Sequence, residues 1–266
     1  MSLLVPLAPD PDAALARFNP VAKITAAGIV MVGLLLSLDP VTPAVLLVIE
    51  LALLPATGVS LGTLARRGWP LLLAAAGVAV ANLLVVSGGS TVLTLGPFDV
   101  TSDAVTAAVS VSLRVLAIAL PGILVLATTD PMDLADALVQ HWHAPPRFAY
   151  GALAALRLLP LLSADWHQVA RARRARGLDP GRSPAGRVRA FAAQLLAVLV
   201  AAVRRGVRLA TAMEARGFGG TDVPRTVARP QPLLARDWWL VAGSGAAVLV
   251  ATAVSVAVGS WRLPFS

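Results

Sequence analysis

The stretch Val105–Ala127, VTAAVSVSLRVLAIALPGILVLA, has one charged residue, Arg114. An α-helix rises about 1.5 Å per residue, so this stretch is long enough to cross the roughly 30 Å apolar layer of a bilayer. The composition agrees, because 57% of the 266 residues are hydrophobic, 14% are charged and the mean hydropathy is +0.78. These values lie well outside the range of soluble domains and predict a membrane protein.

Outward from this stretch, four other apolar segments reach or approach the length of a span. They are Val21–Leu38, Val41–Thr57, Pro70–Ser87 and Trp238–Gly259. The sequence therefore predicts an all-α integral membrane protein with about five transmembrane helices, together with a cytoplasmic region of long helices.

Arginine placement predicts the orientation of the chain. The segment Thr129–Arg236 contains 16 arginines and seven acidic residues, whereas the link Gly88–Ala104 contains no Lys or Arg. The positive-inside rule then places the N-terminus and the basic segment in the cytoplasm. We expect a four-span membrane domain over residues 1–128, a cytoplasmic helical region over 129–236, and a fifth span with an outer C-terminus over 237–266.

Two apolar runs within the basic segment, Phe148–Leu162 and Ala190–Val203, are shorter than a typical span. If both crossed the membrane, the seven arginines between them would be exported, against the positive-inside rule. We therefore predict two long helices, roughly Arg147–Arg176 and Arg187–Arg216, at the cytoplasmic face.

Each of these two helices is predicted to end in the same three residues, Ala175-Arg176-Gly177 and Ala215-Arg216-Gly217. A single copy is typical of a helix end, because glycine adopts the left-handed conformation cheaply and arginine suits the helix dipole. Two copies at the ends of two basic helices favour a second interpretation, in which paired guanidinium groups contact carboxylates of a symmetric partner.

Several chemistries are excluded by the residue inventory. The chain has no cysteine and one lysine, Lys23, which lacks the glycines of a phosphate-binding loop, so any ATP must be bound by another chain. His141 and His143 lie two positions apart, which would place them on different faces of a helix, and His167 is the third histidine. This pattern predicts no metal site. Asp130, Asp133 and Asp136 favour a helix-capping role after Pro131. We expect a non-enzymatic chain.

Taken together, several motifs of the sequence resemble those of the transmembrane (T) component of energy-coupling factor transporters, the ABC-type importers of vitamins and transition metals. The motifs that carry the resemblance are Asn19–Lys23 (with Asn19 in place of the usual acid), Thr128-Thr129 with the short helix Asp133–Leu138, Arg157-Leu158-Leu159-Pro160, Arg171–Gly177 (with Arg173 where the family often has glutamine), and Ala212–Phe218. The pair of Ala-Arg-Gly signatures is the most specific of them.

The resemblance implies a scaffold in the bacterial inner membrane, with its N-terminus in the cytoplasm. The two Ala-Arg-Gly ends would dock on two cytoplasmic ABC ATPase subunits, which bind the ATP and Mg, while this chain binds no cofactor. The apolar helix faces would hold a small substrate-binding (S) membrane subunit. Arg157, Pro160, Arg173 and Glu214 would support the two coupling helices.

Two charges lie inside predicted spans, Glu50 and Arg114, at similar depth. Charged residues within a bilayer are costly, so each needs an explanation. Three interpretations remain open: a structural ion pair between them, a contact with the substrate-binding subunit, and a transport relay.

Two other functions compete with the T-component hypothesis. An ordinary ABC permease would have its own translocation path, and a membrane-anchored nucleic-acid-binding protein would use the arginines on phosphates. Against nucleic acid, the arginine-rich stretch Arg171–Arg189 contains no aromatic residue on which bases could stack, and the helices on either side of it are strongly apolar.

Overall fold

A computed structural model describes residues 14–59, 61–95, 98–178, 183–218, 227 and 229–261. A short 3-10 helix, Ala14–Arg17, precedes eight α-helices and one two-stranded sheet in this part of the chain. In chain order these are α1 (Pro20–Leu35), α2 (Val41–Thr57), α3 (Leu61–Val85), β1 (Thr91–Leu95), β2 (Phe98–Thr101), α4 (Ser102–Thr128), α5 (Pro131–His141), α6 (Pro146–Ala175), α7 (Pro184–Ala215) and α8 (Ala235–Ala257).

The helical fold class is confirmed, and each predicted span corresponds to a helix. The link between α3 and α4 contains an element that the sequence did not predict, the antiparallel pair β1 and β2, in which Leu95 pairs with Phe98 and Thr91 with Thr101. Threonine, valine and phenylalanine favour such a pair. A strand of five residues gives only a short apolar segment, which is not recognisable in a sequence dominated by long apolar helices.

The chain divides into two compact units. Among the described residues, the bundle unit contains those in 14–137 and 231–261, and the hairpin unit contains those in 138–230. The fifth predicted span, α8, thus belongs with α1–α4, and the long basic helices α6 and α7 belong to the other unit. The three-segment division at residues 128 and 236 stays a prediction.

The core of the bundle unit lies where α1, α2, α4 and α8 meet. Leu34, Leu46, Ala117 and Ala251 are buried together there. The Val248 side chain of α8 packs against α1 at Gly33, where an added Cβ would collide with it. Small residues permit this kind of packing between membrane helices.

Five helices are long and apolar enough to cross a membrane, by length and composition, in the described part of the chain: Gly68–Val85 within α3, and α4, α6, α7 and α8. The number equals the prediction, but the membership differs. Helices α1 and α2 have 16 and 17 residues and fall below that length, whereas α6 and α7 have 30 and 32 residues and exceed it. The cytoplasmic placement of α6 and α7 therefore rests only on the distribution of arginines, and it stays a prediction.

Candidate functional site

The first Ala-Arg-Gly segment ends α6 in a defined hydrogen-bonded turn. Gly177 has a left-handed backbone, φ +69°. Its N–H donates to the Arg174 carbonyl at 3.0 Å, and the Leu178 N–H donates to the Arg173 carbonyl at 3.1 Å. This is the Schellman arrangement, which satisfies the last carbonyls of a helix and turns the chain away.

The second segment repeats this geometry at the end of α7. Gly217 has φ +77°. Its N–H donates to the Glu214 carbonyl at 2.9 Å, and the Phe218 N–H donates to the Met213 carbonyl at 2.9 Å. The predicted helix stops are therefore confirmed, and Arg176 and Arg216 occupy the same position in two equivalent turns. We call Ala175–Gly177 and Ala215–Gly217 the two arginine tips.

Both arginine tips are exposed. The side chains of Arg176 and Arg216 form no ion pair or hydrogen bond with the described residues of this chain. A guanidinium group in this state keeps all five donors available to a partner carboxylate.

Helices α6 and α7 lie antiparallel within the hairpin unit. The Tyr150 ring near the start of α6 meets the Phe218 ring after the end of α7, with centroids 5.7 Å apart. Further along, the Trp166 and Phe191 rings are 5.3 Å apart. The two tips lie at opposite ends of the pair: Phe218, which follows the second tip, meets Tyr150, so the tips are separated by the part of α6 from Tyr150 to Arg176, roughly 39 Å at about 1.5 Å per residue.

One ion pair joins the two long helices near the middle of α6. A guanidinium nitrogen of Arg205 lies 2.9 Å from a carboxylate oxygen of Asp165, and both side chains are partly buried. The Gln194 side chain donates to the Trp166 carbonyl at 2.9 Å. These contacts are between the helices rather than at their tips, so they fix how α6 and α7 cross.

The four supporting residues predicted for this region lie on the same two helices. Arg157 and Pro160 are exposed within α6, Arg173 is half-buried in its last turn, and Glu214 is exposed in the last turn of α7. The backbone carbonyls of Arg173 and Glu214 take part in the two Schellman turns. Side-chain roles for all four residues in coupling stay predictions.

Two motifs far apart in sequence meet in the bundle unit. The Asn19 side chain caps α1 by accepting from the Val21 N–H at 2.9 Å, so asparagine fills the capping role open to the acid it replaces. The buried Lys23 ammonium donates to the Thr128 carbonyl at 2.8 Å and to the Thr129 hydroxyl at 3.3 Å. Lys23 therefore ties α1 to the C-terminal end of α4, where a cation also suits the helix dipole.

Sequence reasoning missed Asp237, which joins the start of α8 to the start of α1. This side chain is 1% exposed. One carboxylate oxygen accepts from the Asn19 N–H and the other from the Leu234 N–H, both at 2.8 Å. An acid in the first turn of a helix is a common capping signal, but its bond to a residue 218 positions away leaves no local trace.

Of the three interpretations of Glu50 and Arg114, the structure contradicts the first, because the two side chains do not pair with each other. Both carboxylate oxygens of Glu50 are buried without a hydrogen-bond partner. Arg114 instead donates to the Ser37 carbonyl in the turn between α1 and α2. In the same turn, the buried Asp39 carboxylate accepts from the Thr42 N–H at 2.7 Å and from the Ser255 hydroxyl at 2.6 Å. The Arg114 guanidinium is therefore bound by the turn between α1 and α2, and Glu50 takes no part in that contact.

The remaining predicted polar residues lie around α5. Asp130 accepts from the Met132 N–H at 2.6 Å, which confirms its predicted capping role. The Asp133 carboxylate accepts from the Gln231 side chain at 3.2 Å, and Asp136 is buried. Helix α5 ends at His141, and His143 follows with φ +52°. Within the described ranges no three His, Cys, Asp or Glu side chains cluster as metal ligands would.

These features define a multi-pass helical membrane protein with two exposed, equivalent arginine tips. Residues 12–226 match the model of the family described as cobalt transport protein. The chain therefore belongs to this family, that of the transmembrane components of energy-coupling factor transporters.

Individual relatives agree with the family match. The energy-coupling factor transporter transmembrane protein EcfT of Exiguobacterium sibiricum is 31% identical over 170 residues, which cover 61% of this chain and 64% of that protein. A protein of the same name from Listeria monocytogenes is 29% identical over 68% of this chain and 71% of its own length. A putative ABC transporter ATP-binding protein of Bifidobacterium longum is 30% identical over 63% of this chain, a segment that makes up 22% of the longer protein.

Proposed function

We propose that this chain is the membrane scaffold of an energy-coupling factor importer and transmits ATP hydrolysis from two ATPase subunits to a small substrate-binding membrane subunit. The observation that supports this most strongly is the pair of exposed Schellman-capped arginine tips at opposite ends of an antiparallel helix pair. The chain itself performs no catalysis in this proposal, and ATP and Mg are bound by the partner ATPases. The cargo is a vitamin or a transition-metal ion.

The distance between the tips supports two ATPase contacts rather than one. Tips roughly 39 Å apart are too far from each other to enter a single groove, but each can reach its own subunit of a dimer. A guanidinium group pairs bidentately with a carboxylate, which gives the contact a fixed direction. Motion of the ATPases would then be transmitted through α6 and α7, which the Asp165–Arg205 pair holds in their crossing geometry.

The similarity to the Bifidobacterium protein supports the ATPase partnership. That protein is named as an ABC transporter ATP-binding protein, and a segment of it resembles this chain. A covalent connection between two such parts in one organism is consistent with their close association as separate chains in another.

An uncovered apolar stripe on α7 supports a membrane-embedded partner. Leu195, Leu199, Val203 and Val207 repeat every four residues and are all exposed. Positions four apart lie on one side of a helix, so these side chains form a continuous apolar surface. We assign this stripe to the substrate-binding subunit, with the rest of α6 and α7 at the cytoplasmic face of the cell membrane.

Co-purification from the native host tests the whole proposal. We expect tagged full-length chain to retain two ATPase polypeptides and one small hydrophobic protein after detergent extraction, with ATPase activity absent from the tagged chain alone. Recovery with ATPases and a soluble binding protein would identify an ordinary ABC permease, and recovery with nucleic acid would identify the other alternative. Either result would overturn the proposal.

The proposed orientation can be tested directly because the chain contains no cysteine. A cysteine at the exposed Leu178, beside the first arginine tip, should react with an impermeant maleimide only in inside-out vesicles. A cysteine at the exposed Ser87, between α3 and β1, should react only from the opposite side. Labelling of Leu178→Cys in intact cells would contradict a cytoplasmic N-terminus and cytoplasmic tips.

A further inference from the structure

Among the described residues, the chain passes between the bundle unit and the hairpin unit twice. The first passage follows Ala137 in α5, and the second follows Pro230, ahead of α8. A displacement of α6 and α7 is carried along the covalent chain to the bundle unit at these two passages. How firmly each passage is bound to the bundle unit therefore decides how much of the displacement arrives.

The second passage belongs to a long connection. Residues 216–234 separate the end of α7 from the start of α8. A connection of that length would bend or stretch under load if nothing held it, because an unrestrained chain behaves as a flexible linker. The structure holds it close to α8, where the Asn19 side chain donates to the Gln231 carbonyl at 3.0 Å. Residues 232–234 alone separate this anchor from α8.

The first passage is anchored to the same turn of α1. Lys23 follows Asn19 by about one helical turn. Its buried ammonium group donates to the Thr128 carbonyl at 2.8 Å and to the Thr129 hydroxyl at 3.3 Å. These two threonines lie at the end of α4, and α5 begins at Pro131. The α1 turn from Asn19 to Lys23 thus binds both connections of the hairpin unit.

The Gln231 side chain joins the two connections to each other. It donates to the Asp133 carboxylate, near the start of α5, at 3.2 Å. The bonds from α1 to α4, from α5 to Gln231 and from Gln231 back to α1 form a closed circuit, which we call the polar ring. A polar network of this kind stiffens the segments that it joins. Its members all line one polar cavity of about 150 Å³: Asn19, Lys23, Thr128, Thr129, Asp133 and Gln231.

A similar bond joins the two connections on the hairpin side of the passages. The Gln140 side chain, in the last turn of α5, donates to the Arg229 carbonyl at 2.9 Å. Both of these residues belong to the hairpin unit, whereas Asp133 and Gln231 belong to the bundle unit. The two connections are therefore bound together before and after they cross from one unit to the other.

We propose that the side chains of Asn19, Lys23, Asp133 and Gln231 are positioning residues for energy coupling. Because they bind both connections to one turn of α1, a displacement of α6 and α7 moves the bundle unit as one body. The inference rests on the proposed function, since the displacement is the one that the ATPase subunits produce. It also gives the Asn19–Lys23 motif a task beyond capping α1.

Hydrogen–deuterium exchange of the purified complex tests the polar ring without knowledge of the cargo. The probe is adenylyl imidodiphosphate with Mg²⁺, a non-hydrolysable ATP analogue that binds the ATPase subunits. In the parent complex, we expect the analogue to change exchange in α6 and α7 and also in α1 and α8. Gln231→Ala removes the bond to Asp133 but keeps the carbonyl that binds Asn19, so the bundle unit still folds. In this variant the change in α6 and α7 should remain, and the change in α1 and α8 should fall at least about threefold.

Two matched variants identify the bond itself as the cause. Gln231→Lys supplies an ammonium donor on a side chain of similar length, so a bond to Asp133 should restore the response of α1 and α8 to the parent level. Gln168→Ala removes an exposed glutamine of α6 and should leave both responses unchanged. A merely structural role for Gln231 would raise exchange in α1 and α8 equally with and without the analogue.

The proposal is overturned if α1 and α8 respond in Gln231→Ala as they do in the parent, or if Gln231→Lys responds no better than Gln231→Ala. It is also overturned by exchange that rises equally with and without the analogue, or by a parent complex in which α6 and α7 respond and α1 and α8 do not. A parent complex in which α6 and α7 themselves do not respond would count against the proposed function, and this inference would fall with it.

Discussion

Replacement of both Arg176 and Arg216 by alanine is expected to reduce substrate uptake at least a hundredfold while the protein still inserts into the membrane. Truncation of one side of a buried charge pair typically costs about 2–5 kcal/mol at an interface, so loss of both tips should release the ATPases. Both side chains are exposed and neither forms an ion pair or hydrogen bond with the described part of its own chain, so the folded scaffold should not be affected. Uptake by cells and recovery of the ATPases with the tagged chain are the two measurements.

Matched variants separate the tips from general positive charge. Arg174 and Arg208 are exposed on the same two helices but lie outside the tips, so Arg174→Ala with Arg208→Ala removes the same charge and should leave uptake within about twofold of the parent. Arg176→Lys with Arg216→Lys should fail in spite of its charge, because lysine lacks the planar fork. Normal uptake by the double alanine variant would disprove the coupling role.

Replacement of Asp237 by asparagine is expected to destabilise the bundle unit by about 2–4 kcal/mol. The carboxylate is buried and accepts from two backbone N–H groups, Asn19 and Leu234, each at 2.8 Å. Hydrogen bonds to charged groups contribute about 1.5–3 kcal/mol each. Asparagine keeps one acceptor oxygen and turns an NH₂ group towards the second N–H. The melting temperature in detergent should fall by on the order of 5–10 °C.

Asp130 provides the control for this second prediction. It also accepts from a backbone N–H, that of Met132, but it is exposed and its bond is local. Asp130→Ala should therefore cost about 1 kcal/mol, as loss of an ordinary helix cap does. If Asp237→Asn melts no lower than Asp130→Ala, the bond between the starts of α1 and α8 does not stabilise the bundle.

The arginine tips show what short-range sequence signals can predict. The predicted helix Arg187–Arg216 ends within one residue of α7, because Gly217 supplies a local stop and hydropathy supplies the helix. Assignment of the tips to two ATPases came from the family resemblance rather than from these local signals. The sequence pattern could not indicate that the tips lie at opposite ends of an antiparallel pair, since that depends on the contact of Tyr150 with Phe218.

Glu50 and Arg114 show what sequence reasoning could not decide. Equal depth in two spans made a pair geometrically reasonable, but depth does not specify the direction in which each side chain points. In helices that are apolar on every side, hydropathy gives almost no information about rotation. Arg114 donates to the Ser37 carbonyl, and both carboxylate oxygens of Glu50 are buried without a hydrogen-bond partner.

The sequence by itself determined the membrane class, the helix positions and the two equivalent helix ends, because hydropathy and capping act over a few neighbouring residues. Tertiary structure alone decided the bonds of Asp237 to Asn19 and of Lys23 to Thr128, and the isolation of the Glu50 carboxyl group. These depend on helix rotation and packing, which are set by close contacts between residues more than a hundred positions apart, such as Lys23 and Thr128.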